Sequence, residues 1–369
     1  MHYMDLDTPY LLLDEKRLRK NLADMQAYAD AHHVALRPHT KTHKMPAIAQ
    51  MQMQQGACGI AVAKVGEAEE MARAGLADIL IANEIVGVQK WQRMAALVKA
   101  GCQLSFGVDA PCQVTGAEAV FAETGVCVSV QVEIEVGEER SGIIRDEDFL
   151  ALLAAIRSCP HIHFKGLFSH DGNTYRAKDL AECKALAAKA QQRTVHFAQL
   201  AHEQGMDCEV VSYGATPTFM NHIDILPGIT ELRPGTYALM DAAQGHAIDD
   251  WSRCAATVLA TVISKPTDTR TILDVGAKGL TKETRTEGIC STRGMGMLYD
   301  FPGVSIDSLF DEHAIILDRG FHDRVQIGDK VRIIPVHICP VCNLYDKAAL
   351  LDGETVKAIL PISCRGKIQ

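Results

Sequence analysis

Val34-Ala-Leu-Arg37-Pro38-His39-Thr40-Lys41-Thr-His43-Lys44 is the stretch from which the rest of the chain can be read. Its first half, Val34–His39, is extended in character, and Pro38 biases Arg37 away from helix. Its second half crowds Lys41, His43 and Lys44 behind His39 and Thr40. Cationic side chains this close repel one another, and they follow what reads as the end of a buried strand. Desolvation and neighbouring positive charge both drive a lysine there to lose its proton. A neutral lysine amine is the nucleophile that forms Schiff bases with aldehydes. Taken alone, the same cluster is a solvated basic loop, since charged groups are mostly exposed.

Working outward, Val34–His39 is the first of eight short β-rich runs. The others are Gly59–Lys64, Asp78–Asn83, Gln103–Asp109, Val128–Glu135, Lys165–His170, Cys208–Gly214 and Ile229–Arg233. Between them lie Met45–Gln55, Val65–Ala74, Val88–Ala100, Ala110–Glu123, Asp146–Ser158, Ala177–Gln204 and the short Thr216–Asp224, mostly alanine-rich with a 3.6-residue period. Eight strands alternating with helices predict a parallel (β/α)₈ barrel of the TIM type. Several runs end in Lys64, Asn83, Asp109, Glu135, His170 or Gly214, and barrel active sites lie at the C-terminal ends of the strands. Lys41 falls just past the end of the first run, on that same rim.

After Asp250 the runs become short, aliphatic and β-branched: Cys254–Lys265, Thr271–Val275, Ala314–Leu317, Lys330–Val336, Ala348–Leu351 and Thr355–Leu360. Turn signals at Lys265-Pro266, Gly328-Asp329 and Asp352-Gly353 separate them. This half reads as an antiparallel β domain without a major helix. The domains expected are residues 1–245 for the barrel and 246–369 for the β domain, with the first few residues open to either.

A chain of 369 residues, 47% hydrophobic, can bury a large core. Its net charge of -9 and pI near 5.9 argue against a nucleic-acid or anionic-membrane partner. No apolar run approaches the ~20 residues of a membrane span. The opening Met-His-Tyr-Met-Asp-Leu-Asp lacks the pattern of a signal peptide. Twelve cysteines without framework-like spacing read as reduced thiols in a cytoplasmic enzyme.

Two glycine-containing turns follow the last two barrel runs, Ser212-Tyr-Gly214-Ala-Thr216-Pro-Thr218 and Arg233-Pro-Gly235-Thr236-Tyr237. Barrels commonly bind phosphate at the loops after strands seven and eight, where backbone N–H groups and hydroxyls converge. Either turn alone is simply a tight bend that needs glycine; together they point to a phosphate. A phosphate site and a Schiff-base lysine in one barrel suggest pyridoxal 5′-phosphate. Arg140 leaves the fifth strand among acids, as a donor to a cofactor oxygen or as a surface ion pair worth ~0–1 kcal/mol. In the β domain, His337 and Cys339 are two apart on a segment read as extended, so that both side chains reach one face. Imidazole and thiolate suit Zn²⁺, and two ligands leave positions for water or substrate; the same residues also read as buried core. Cys339 and Cys342 form a CxxC, but a redox reading needs a strand-to-helix context that this β-rich tail was not expected to supply.

Asp7-Thr-Pro-Tyr-Leu-Leu-Leu-Asp14, Arg37–Lys44, Ala63–Glu69, Ile81–Glu84, Ser212–Thr218, Glu231–Tyr237 and the His337-x-Cys339 tail with Asn343–Asp346 together resemble the D-threonine aldolase/D-serine dehydratase family, over nearly the whole chain. The resemblance implies pyridoxal-phosphate enzymes of the alanine-racemase-like fold (fold type III), usually homodimers. It implies that Lys41 rather than Lys44 carries the cofactor and that Arg140 faces its O3′. By the same similarity Ser212, Gly214, Thr216, Gly235 and Thr236 lie at its phosphate, and His337 and Cys339 hold the metal. Aldolases of the family tend to show His-x-Asp at the metal pair and dehydratases His-x-Cys. Cysteine here favours Zn²⁺-dependent elimination of water from a 3-hydroxy-D-amino acid, D-serine being the simplest. Retro-aldol cleavage to glycine and an aldehyde is the runner-up. A racemase would not need the metal pair, and a non-catalytic pyridoxal-phosphate carrier would not need the β domain.

Overall fold

The chain's first strand, β1 (Tyr10–Asp14), joins its C-terminal sheet and is followed by helix α1 (Glu15–Ala31). All eight runs of the barrel then appear as strands: β2 (Ala35–Leu36), β3 (Ile60–Val62), β4 (Asp78–Glu84), β5 (Gln103–Val108), β6 (Val128–Ile134), β7 (Ile162–Ser169), β8 (Val210–Tyr213) and β9 (Glu231–Leu232). Helices α2 (Pro46–Gln55), α3 (Val65–Arg73), α4 (Val88–Lys99), α5 (Pro111–Thr124), α6 (Asp146–Arg157), α7 (Leu180–Glu203) and α8 (Thr216–Met220) alternate with them. The computed structural model describes all 369 residues.

The strands pair in parallel in the order β2-β9-β8-β7-β6-β5-β4-β3. The ring closes where Cys58 N–H reaches Leu36 O (2.9 Å), Ala61 N–H reaches Pro38 O (2.8 Å) and Thr40 N–H reaches Ala61 O (2.8 Å). Ile79, Leu80 and Ile81 are buried without alternation, as a strand covered on both faces requires. Phe149, Leu152, Leu153 and Ile156 of α6 recur at helical spacing and are all buried, the stripe that seats a helix on a barrel. In β7 the pairing with β6 steps from Val130↔Phe164 to Gln131↔Gly166, so one residue is extra. Gly166 there has φ +143°, and a Cβ would lie 1.9 Å from Val210 O.

Contacts divide the chain into two units: Met25–Lys41, Ile48–Gly235 and Gly366–Gln369, holding the barrel strands, and Met1–Asp24, Thr42–Ala47 and Thr236–Arg365. The second unit contains β10 (Ala256–Ser264), β11 (Arg270–Leu273), β12 (Met297–Leu298), β13 (Ser308–Leu309), β14 (Ala314–Leu317), β15 (Lys330–Ile334), β16 (Lys347–Asp352) and β17 (Thr355–Pro361). Its main path is β13-β14-β11-β10-β1-β16-β17, with β15 on β10 and β12 on β15. The pairs are antiparallel except β1 with β16, which is parallel, so the domain is the mostly antiparallel sheet that was expected. The exception arises because β1 comes from the far end of the chain; its Leu11, Leu12 and Leu13 are at most 1% exposed.

Short helices α9 (Ala242–Ala247), α10 (Ala277–Leu280), α11 (Arg319–Arg324) and α12 (Ile338–Cys342) complete this unit. The last corrects the extended reading of His337–Cys339: His337 is the extended N-cap residue, and Cys339 lies in the first turn. Pro340 fits there because first-turn N–H groups lack intrahelical partners. The CxxC therefore does follow a strand and sit on a helix. No helix is long and apolar enough to cross a membrane.

Candidate functional site

In the barrel unit, β2 delivers His39 and Lys41 to the C-terminal rim, where Thr40 is fixed by its N–H and hydroxyl to Ala61 O. Lys41 is partly exposed, and its backbone N–H points at His39 Nδ1, 3.4 Å away. Burial pushes His39 well below the usual histidine range, and the charges of Lys41, Arg233, His170 and Arg140 push it further. These five groups thus share one electrostatic neighbourhood. His39 and Lys41 of the sequence cluster are joined there by Arg140, His170 and Arg233 from other parts of the barrel unit.

Arg140 is half-exposed and held by two carboxylates, Glu133 at 3.1 Å and Glu138 at 3.3 Å. Glu133 is buried and also accepts from Ser141 Oγ at 2.9 Å and from Glu84. Burial, reinforced by Glu133, raises Glu84, which therefore keeps its proton while Glu133 stays ionised. Glu138 Oε2 also bonds His170 Nδ1 at 2.7 Å. Burial nevertheless lowers His170, against the pull of Glu138 and with help from Lys41 and Arg140. The ring is neutral, with its proton on Nδ1 toward the carboxylate.

The turn after β8 brings Gly214 and Thr216 to the start of α8. A Cβ at Gly214 would lie 3.0 Å from Phe219 and 3.1 Å from Arg233 N, a cradle only glycine fits comfortably. Thr216 Oγ1 is buried with no partner. Ser212 Oγ accepts from Arg233 Nη1 at 2.7 Å and keeps its own proton to donate. An orphaned hydroxyl and a glycine cradle at a helix start suit a phosphate. Beneath the turn, buried Asp171 accepts from Tyr213 and, at 2.6 Å, from Thr218.

In the other unit, Cys339 Sγ lies 3.2 Å from Thr42 Oγ1 and 3.5 Å from Thr236 Oγ1. Thr236 was expected at a phosphate; its hydroxyl is beside this thiol. His337 Nδ1 bonds Glu283 Oε2 at 2.8 Å, and the ring also bonds Cys339. Burial works against charge on both partners, but attraction between imidazolium and thiolate outweighs it. His337 is pushed up to about 10 and Cys339 down to about 7. An ionised thiol with an imidazole beside it fits Zn²⁺. They stand as a pair: no three His, Cys, Asp or Glu side chains are grouped so as to hold a metal by themselves. Asp241 anchors the segment, accepting Ile338 N–H at 3.0 Å and Gln244 N–H at 2.9 Å.

Sequence reasoning missed Glu84, Glu133, Glu138, Asp241 and Glu283 as supports. Glu84 and Glu133 lie at or near strand ends and were open to discovery as polar residues closing apolar runs. Glu283 stands in an irregular segment and carries no local signal.

Residues 13–243 match the family described as alanine racemase, N-terminal domain, and residues 255–351 the putative serine dehydratase domain. The chain is 34% identical to a D-threonine aldolase of an Arthrobacter species, covering 98% of this chain and 93% of that protein. The crystal structure of D-threonine aldolase from Filomicrobium marinum matches with a TM-score of 0.90 at 32% identity, covering 100% of this chain and 98% of that one. D-threo-3-hydroxyaspartate dehydratase from Delftia sp. HT23 is 32% identical over 91% of this chain and 92% of that protein. Its structure superimposes with a TM-score of 0.91, and a D-threo-3-hydroxyaspartate dehydratase with one cysteine replaced by alanine, described in its metal-free form, matches with 0.90. The alanine-racemase-like barrel, the C-terminal sheet domain and these relatives converge: the chain belongs to the D-threonine aldolase/D-serine dehydratase family of pyridoxal-phosphate lyases.

Proposed function

We propose that this protein eliminates water from a 3-hydroxy-D-amino acid, giving a 2-oxo acid and ammonia. The observation that carries the reading is the His337–Cys339 pair, whose second donor is a readily ionised thiol. A D-threo-3-hydroxyaspartate dehydratase whose structure is described as a metal-free form supports the reading that a metal belongs to this kind of site. When bound, pyridoxal phosphate supplies an electron sink for charge at Cα, and Zn²⁺ supplies a Lewis acid for a departing hydroxyl.

Lys41 is the lysine that would bind the cofactor's aldehyde, and its free amine would be the base for the Cα proton. Arg140, held between Glu133 and Glu138, donates toward the cofactor's O3′. Ser212, Gly214, Thr216 and Gly235 would offer hydroxyls and backbone N–H groups to its phosphate, whereas the Thr236 hydroxyl is taken up beside Cys339. His337 and Cys339 hold the metal. The negative net charge and the resemblance to dimeric family members support a homodimer without nucleic-acid or membrane partners.

Lys41→Ala should abolish the visible absorbance of the bound cofactor and the formation of pyruvate from D-serine. Chelation should stop pyruvate formation while leaving the absorbance; turnover unchanged by the chelator would remove the metal from the mechanism. The second reading, retro-aldol cleavage, is favoured by the Arthrobacter and Filomicrobium relatives, both aldolases. D-threonine separates the two, since 2-oxobutyrate reports elimination and acetaldehyde reports cleavage.

A further inference from the structure

The carboxylate of Glu283 has its two oxygens committed to different partners. Oε2 meets His337 Nδ1 at 2.8 Å, and Oε1 meets Arg285 Nε at 3.2 Å. Arg285 is itself tied down, its carbonyl accepting Thr292 N–H at 2.6 Å. Glu283 N–H is directed at Thr281 Oγ1, 3.3 Å away. Thr281 has φ +69° and ψ 165°, a region that a β-branched residue enters only when its surroundings impose it. The segment thus holds a strained backbone at the point where it delivers a carboxylate to an imidazole.

An imidazole that donates from Nδ1 to a carboxylate presents Nε2 as its remaining lone pair, and the orientation of the ring is then fixed. With Nδ1 engaged by Glu283, Nε2 is the ring nitrogen left for another partner. Asp241 holds the intervening Ile338 N–H at 3.0 Å, which fixes the backbone between the two donors. We propose that Glu283 is a positioning residue for the metal: it fixes the tautomer and angle of His337 so that Nε2 is the coordinating atom. The proposal rests on the metal reading of His337 and Cys339 given above.

The test is equilibrium binding of Zn²⁺ to holoenzyme freed of metal, in competition with a chromophoric chelator. Wild type, Glu283→Gln, Glu283→Ala and Glu283→Asp are compared. Gln and Ala should weaken binding ~10–100-fold, the effect typical of losing a partner behind a metal-bound histidine, and Asp should recover part of it. At saturating Co²⁺, Glu283→Gln should show the wild-type thiolate-to-cobalt absorption, because the ligands themselves are retained. Affinity in Glu283→Gln within about twofold of wild type overturns the proposal. Loss of the cobalt band at saturation, or an altered metal-free circular dichroism spectrum, makes Glu283 a structural residue and overturns it too. Wild-type protein that takes up neither metal refutes the metal reading itself, and the proposal falls with it.

Discussion

Two carboxyl groups in hydrogen-bonding contact inside a protein share one proton, and Glu84 and Glu133 divide it unequally because only Glu133 has Arg140 and Ser141 to stabilise its charge. Glu84 is displaced from an ordinary 4.5 to about 9. Between those values the folded protein holds a proton that the unfolded chain has released, so stability falls as pH rises through that window. Glu84→Gln keeps a donor for Glu133 and has no such linkage. Its melting temperature relative to wild type should therefore increase from about pH 5 to about pH 9. A difference independent of pH would show that Glu84 is ionised throughout. Residues of this kind bound what was legible in the sequence. Lys41, His337 and Cys339 stand in dense local motifs, whereas the Glu84–Glu133 contact joins strands 49 positions apart by number and has no local signature. Thr236 shows a different limit: the motif located the residue, but the partner of its hydroxyl depends on how the chain turns afterwards.

Among the elements, the barrel was the most legible because each parallel strand must be apolar on both faces and each helix on one. Even the two-residue strands β2 and β9 lie inside longer predicted runs. Several elements lie outside the predicted runs: α1 and β1 near the start of the chain, and the short β12, β13, α9, α10 and α11. α12 falls in a segment that reads as extended because five residues with Ile338 and Val341 among them are as apolar as a strand. Backbone detail was equally hidden. Nothing near Gly166 announces a bulge, yet the position needs both φ +143° and the absence of a Cβ. Gly166→Ala should destabilise the barrel by at least ~2 kcal/mol, from backbone strain plus the clash with Val210. Urea unfolding followed by far-ultraviolet circular dichroism measures it. A shift below about 0.5 kcal/mol would mean that the bulge relaxes at little cost.

At the scale of the whole molecule, the C-terminal sheet depends on the first residues of the chain. β1 pairs with β10 on one side and β16 on the other, so it is an interior strand supplied from outside the segment that builds the rest. Removing residues 1–14 should leave β10 and β16 without their shared partner. The expected outcome is insoluble protein, or a soluble truncation with a clearly lowered melting temperature; a soluble truncation with wild-type melting would contradict it. The same arrangement has a consequence for biosynthesis. Leu11, Leu12 and Leu13 leave the ribosome first, but β10 begins roughly 240 residues later, on the order of 10–50 s of elongation. During that interval an apolar segment is tethered to a growing barrel with no sheet to enter. Until β10 emerges, those leucines are exposed to the aggregation that unpaired apolar segments suffer, so slower elongation should lower the yield of folded protein.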